Sequence, residues 1–181
     1  MARRYFRRSY RRVYPRKKWA SNIGNSTLNM TVPANSSYAA GAAFALNPVQ
    51  SPTTVSTPYT VKRVTLSIDA VTPQSEDFRL LQQVMAAIMY VPQGYAVTYN
   101  ILNEHPEWIM AIKYMGEPSM YESPTSTGGN RNKPFQVSSR LARRLQTGDS
   151  IQLVLFATNI STDTAANISF RFMARWWTRS D

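Results

Sequence analysis

Residues 59–71, "YTVKRVTLSIDAV", alternate cleanly: Val64, Leu66, Ile68 and Ala70 fall on one side, Arg63, Thr65, Ser67 and Asp69 on the other. A period of two marks a half-buried β-strand. The last segment, 167–179, repeats the pattern. Ile168, Phe170, Phe172, Ala174 and Trp176 form a core-like row, and Arg171, Met173, Arg175, Trp177 and Arg179 form a basic row with an aromatic. Two other stretches, "VMAAIMYV" (84–91) and "SIQLVLFATNI" (150–160), are apolar on both faces. An isolated subunit is expected to expose part of that surface as large apolar patches, beyond what monomers usually show. Four more strand candidates lie at 26–32, 37–46, 107–115 and 134–145. They are separated by Pro33, the three-proline loop "NPVQSPTTVSTP", "PQG" and a Gly/Pro/Ser/Thr-rich loop at 116–134. Helical signals are weak. A short helix is predicted over 74–83 behind an N-cap at Ser75, with Leu81 and Gln82 in its later turns, and one turn falls within 96–106. The pattern predicts an all-β chain, specifically an eight-stranded antiparallel jelly-roll sandwich.

Charge divides the chain in two. The first 18 residues, "MARRYFRRSYRRVYPRKK", hold nine Lys or Arg and no acid; the remaining 163 hold twelve bases and ten acids. A block of like charge cannot bury a core and stays disordered until it meets an anion. Residues 1–20 are therefore read as a basic Arg/Tyr-rich arm and 21–181 as one folded domain. Within the arm, Arg3, Arg4, Arg7, Arg8, Arg11, Arg12, Arg16, Lys17 and Lys18 are the expected phosphate ligands. Tyr5, Phe6, Tyr10, Tyr14 and Trp19 are the expected stacking partners for unpaired bases. A mitochondrial presequence or a basic membrane-surface helix has similar composition. A nuclear-import signal can coexist with nucleic-acid binding. No apolar run approaches eighteen residues, so no membrane insertion is expected.

The chemistry of catalysis is poorly represented. The chain has no Cys and a single His, His105, which sits in "NEHPEW" between Glu104 and Glu107 on a turn where the three are not expected to converge on a metal. "TGGNRNK" lacks the Gly-Lys-Ser/Thr ending of a phosphate loop. Neither Glu76 nor Asp77 has an evident acid partner. No enzyme activity, cofactor or metal is expected. Only 22 of the 163 residues after the arm are charged, about half the usual quarter, which suggests that much of the surface meets other protein. Arg171, Arg175, Trp177 and Arg179 are candidates for a subunit interface, Trp and Arg being common anchors, or for a second nucleic-acid contact.

The basic arm joined to a β domain resembles the capsid proteins of circovirus-like, Rep-encoding circular single-stranded DNA viruses. "YTVKRVTLSI", "HPEWIMAIKYMG", "SSRLARRLQTGDSIQLVLFATN" and "ARWWTR" are similar to blocks of that group. The resemblance implies a self-assembling subunit of a closed icosahedral T=1 shell of about sixty copies, with the arm packaging the single-stranded DNA genome. It also implies a virion protein that visits the host nucleus through import factors carried to the arm. The sequence does not indicate a host receptor. From the residues alone, a cellular basic-tailed protein that binds single-stranded nucleic acid is the alternative.

Overall fold

The computed structural model describes residues 19–35, 39–46, 58–71, 77, 80–116 and 135–180. The arm at 1–18, the Ser75 cap and the loops at 47–57 and 117–134 lie outside the described residues. In chain order the strands are β1 (Ala20–Val32), β2 (Ala39–Leu46), β3 (Tyr59–Ala70), β4 (Leu81–Val91), β5 (Ile109–Gly116), β6 (Phe135–Leu145), β7 (Ser150–Asn159) and β8 (Ala166–Ser180). Among the described residues, helix is confined to α1 (Ile101–Glu104), one 3₁₀ turn (Pro106–Trp108) and helical backbone at Asp77. The chain is all-β, as its alternation predicts.

The strands form two antiparallel sheets with orders β1-β8-β3-β6 and β2-β7-β4-β5. Their inner faces meet in one core. Leu28, Met30 and Val32 of β1 lie opposite Phe170, Ile168 and Ala166 of β8. Ile68 and Leu66 of β3 lie opposite Phe172 and Ala174. Val84, Ala86 and Ile88 of β4 and Ile151, Leu153 and Leu155 of β7 close the core from the second sheet. Each large side chain fully buried here contributes roughly 1.5–3 kcal/mol. The β8 core row is as its alternation predicts: Ile168, Phe170, Phe172 and Ala174 are buried, and Trp176 packs at the rim.

Several local expectations are corrected. Leu81–Gln83 belong to β4, so the helix expected over 74–83 cannot extend through them; pairing of Leu81 with Asn159 and Gln83 with Thr158 overrides the weak helical signal. Glu107 and Trp108 belong to the 3₁₀ turn, and β5 begins only at Ile109. β1 begins at Ala20, six residues before the apolar segment, because the polar "ASNIGN" stretch pairs residue by residue with Trp177–Ala174 and their neighbours on β8. In β3, Val61 and Val64 are both buried although three residues apart. A register shift between Lys62 and Val64, with Arg63 at φ 52°, reconciles the two.

The largest correction concerns β4 and β7. Their second apolar faces are buried within the subunit. Ala87, Met89 and Val91 of β4 and Val154 and Phe156 of β7 form a second cluster with Ile101. Val97, Tyr99, Leu102 and Trp108, from the connection between β4 and β5, pack over it. Tyr99 meets Phe156 edge-on at 5.8 Å between centroids. The connection is held in shape by its own hydrogen bonds, including Glu104 N–H to Asn100 O (3.0 Å) and His105 N–H to Ile101 O (2.9 Å). Its start is tied down through Asp149. That buried carboxylate accepts from Tyr90 Oη (2.8 Å), Gln146 N (3.0 Å) and Gln93 N (3.4 Å). Desolvation, then the bond to Asp149, pushes the Tyr90 hydroxyl above its ordinary pKa.

Candidate nucleic-acid interface

The outer face of the first sheet is mainly polar and basic, with Ile23 and Met173 as exposed apolar side chains among the described residues. Its register sets out the rows. Arg171 lies between Thr27 and Asp69, Met173 between Asn25 and Ser67, Arg175 between Ile23 and Thr65, and Trp177 between Ser21 and Lys62. Arg179 lies opposite Thr60, which on its other side faces Arg144 of β6. Small polar residues on β1 and β3 flank the long β8 side chains. Arg171, Met173 and Arg175 are exposed, and Trp177 and Arg179 are half-buried.

The face is polarised along its length. One end carries uncharged pairs: Ser169 Oγ donates to Asn29 Oδ1 (2.7 Å) and Thr31 Oγ1 to Asn167 Oδ1 (2.8 Å). The other end gathers Lys62, Arg63, Arg144, Arg175 and Arg179 around two indoles. The Lys62 ammonium lies 3.6 Å from the centre of the Trp19 ring, and the Arg179 guanidinium lies 5.0 Å from it. The Arg175 guanidinium lies 4.8 Å from the centre of the Trp177 ring. The cations in such contacts are attracted by the electron-rich ring faces. The like charges also repel. Lys62 is held below its ordinary pKa, first by desolvation and then by Arg63 and Arg179. Among the described residues the acid in the rows of this face is Asp69, opposite Arg171. Arg175 is four residues further along β8, about 13 Å at strand rise, beyond the screening length of roughly 8–10 Å near physiological salt.

The structure therefore brings together Trp19, Arg175, Trp177 and Arg179 of the residues singled out from the sequence, and separates Arg171 from them. It adds Lys62, Arg63 and Arg144, which the sequence reading did not assign to a site. Strict alternation points Lys62 away from Arg63, and only the bulge at Arg63 reveals that both charges act on one cluster. Trp19, read as part of the arm, packs against the sheet's cations. The remaining arm candidates lie outside the described residues.

His105 takes a different environment. Its ring stacks on Trp108 with centroids 3.8 Å apart and 6° between planes, and Tyr95 meets both rings edge-on. Nδ1 lies 3.0 Å from Glu107 Oε1. Among the described residues, no three His, Asp or Glu side chains converge as metal ligands.

These features define an all-β, two-sheet antiparallel sandwich with one outer face apolar and covered over β4 and β7 and the other basic at one end. No family model and no curated protein matches the chain. Among solved structures it is similar to a chain of infectious bursal disease virus, Gx strain, at 7% identity and TM-score 0.41, over 91% of this chain and 32% of that one. It is also similar to a chain of the cyanophage Pam1 capsid asymmetric unit, at 13% identity and TM-score 0.36, over 93% of this chain and 94% of that one. The decameric BFDV capsid protein is matched at 9% identity and TM-score 0.36, over 91% of this chain and 100% of that one. Likenesses this loose carry no argument about what the chain binds or builds.

Proposed function

We propose that this chain is a capsid subunit whose β domain is a jelly roll, and that it packages single-stranded DNA through its basic N-terminal arm. The observation that carries the reading is the junction at Trp19. The segment of nine cations ends at Lys18, and the next residue sits among Lys62 and Arg179 on the sheet's basic end. The strand orders β1-β8-β3-β6 and β2-β7-β4-β5 support the jelly-roll assignment, since each sheet mixes early and late strands as two wrapped antiparallel halves require. Exposed Ile112, Tyr114 and Ile160 supply apolar anchors for contacts between copies. Many arms on one closed shell would act on one strand at high effective concentration. In this reading the chain has no catalytic role, and import into the nucleus is a second use of the same arm.

The test is assembly and salt dependence together. Purified, nuclease-treated protein should form closed shells visible by electron microscopy when single-stranded DNA is returned. Nine arm cations, all engaged, contribute about −6 to the slope of log K against log salt. Replacing them with Gln in the full chain should remove that contribution and leave the β domain folded. A soluble monomer that binds single strands without assembling would favour the cellular binding protein instead.

A further inference from the structure

We propose that the basic end of the first sheet's outer face is itself a binding platform for single-stranded nucleic acid, built from Lys62, Arg175, Arg179, Trp19 and Trp177. This deepens the packaging reading and rests on it for the identity of the strand. The same residues could instead meet another subunit, and the charge distribution decides between the two.

Lys62, Arg63 and Arg175 crowd this end of the sheet, with Arg179 and Arg144 in the neighbouring rows, and among the described residues the acid in these rows, Asp69, lies about 13 Å from Arg175 along β8. Interface centres are depleted of charge. Two copies related by a two-fold axis would set this face against itself, cation on cation. A head-to-tail contact would need an acidic patch elsewhere. Among the described residues there are six acids. Asp149 is consumed by three internal hydrogen bonds, and Glu107 accepts from His105. The rest are scattered over separate elements. A polyanion supplies what the face lacks.

The rings specify the kind of polyanion. Trp19 and Trp177 lie among the cations rather than beside them. Phosphates can therefore sit on Lys62 and Arg175 while unpaired bases reach an indole. Stacking contributes about 1–3 kcal/mol per base and needs a base that is not already paired. A duplex would meet the charges and leave the rings unused. Lys18 is joined to Trp19 in the chain, so a strand bound by the basic segment is tethered to this face. It follows that, in an assembled shell, this sheet and not the covered one faces the nucleic acid.

The experiment uses the full-length chain and a 5-iodouracil-substituted single-stranded DNA oligonucleotide as the probe. After irradiation, cross-linked peptides are mapped by mass spectrometry. Cross-links are expected at Trp19 and Trp177 in addition to the arm. The double variant Lys62→Gln/Arg175→Gln should make the salt slope shallower by about 1.4, two cations at about 0.7 each, with shell formation unchanged. Trp177→Leu should weaken binding severalfold without altering the slope. Thermal unfolding of each variant separates loss of a contact from loss of fold; if Lys62→Gln/Arg175→Gln unfolds, the cross-link map alone decides. Cross-links confined to residues 1–18 would overturn the proposal. So would a double variant that no longer assembles yet binds the oligonucleotide with the original affinity and slope, which would assign the face to a subunit contact. If wild-type protein forms no shell but cross-links through Trp19 and Trp177, the platform stands and the capsid reading falls.

Discussion

The outer faces of the two sheets differ in almost every physical respect. The face of β2-β7-β4-β5 carries Met89, Val91, Val154 and Phe156, and the chain folds its own 92–108 connection over them. The face of β1-β8-β3-β6 carries Thr, Ser and Asn beside long cations, with Arg171 and Arg175 exposed. At β4 and β7 the first face is covered within the subunit, while Ile112 and Tyr114 of β5 stay exposed beside it. The second face gathers like charges at one end. A two-layer sandwich needs just its inner faces for a core, so each outer face is free to take a separate task. Here one anchors a connection, and the other carries the basic cluster.

The comparison predicts opposite consequences of mutation. Phe156→Ala, beneath Tyr99, should cost about 3–5 kcal/mol, because it opens a cavity that the rigid sheet cannot close. Arg175→Gln on the other face should stay within about 0.5 kcal/mol of wild type. Urea denaturation of both variants measures the contrast. Equal losses would mean that the basic face is structural and would dissolve the division of labour.

A smaller effect is expected where the cover begins. Asp149→Ala leaves Tyr90 Oη and two backbone N–H groups without their shared acceptor. The cost should be about 1–3 kcal/mol, and amide exchange should quicken at Gln93 and Gln146 before it does in β8. Uniform quickening across both sheets would show that the cover and the sandwich open as one unit.

The smallest effect is a pH dependence in the cover itself. Glu107 is held below its ordinary pKa of 4.5, first by a hydrogen bond from its own backbone, then by His105. A carboxyl with a depressed folded pKa stabilises the fold above its unfolded value, and the contribution is lost as pH falls through the folded one. Glu107→Gln should therefore lower stability slightly at pH 6 and make no difference well below 4.5. A difference that persists in acid would point to packing rather than charge.

Much of this was legible in the chain. The alternation in 59–71 and 167–179 determined the fold class and the row of Arg171, Arg175, Trp177 and Arg179, because a strand's period is a local property of the backbone. The charge count marked the arm for the same reason. Other features needed the partner strand. Polar "ASNIGN" gives no strand signal, and its pairing with β8 extends β1 to Ala20. A doubly apolar strand does not reveal whether a neighbouring molecule or its own chain will cover it; for β4 and β7 the answer was residues 97–108. The binding cluster was the least legible part. Lys62, Arg144 and Trp19 come from three distant segments, and their approach to Arg175 and Arg179 follows from the order of strands in the sheet and from one bulge at Arg63. The sequence by itself determined which residues carry charge, rings and apolar bulk, since those are properties of single residues and short periods. Only the tertiary structure decided which of them share a surface, because strand order and register are set by non-local pairing and core packing.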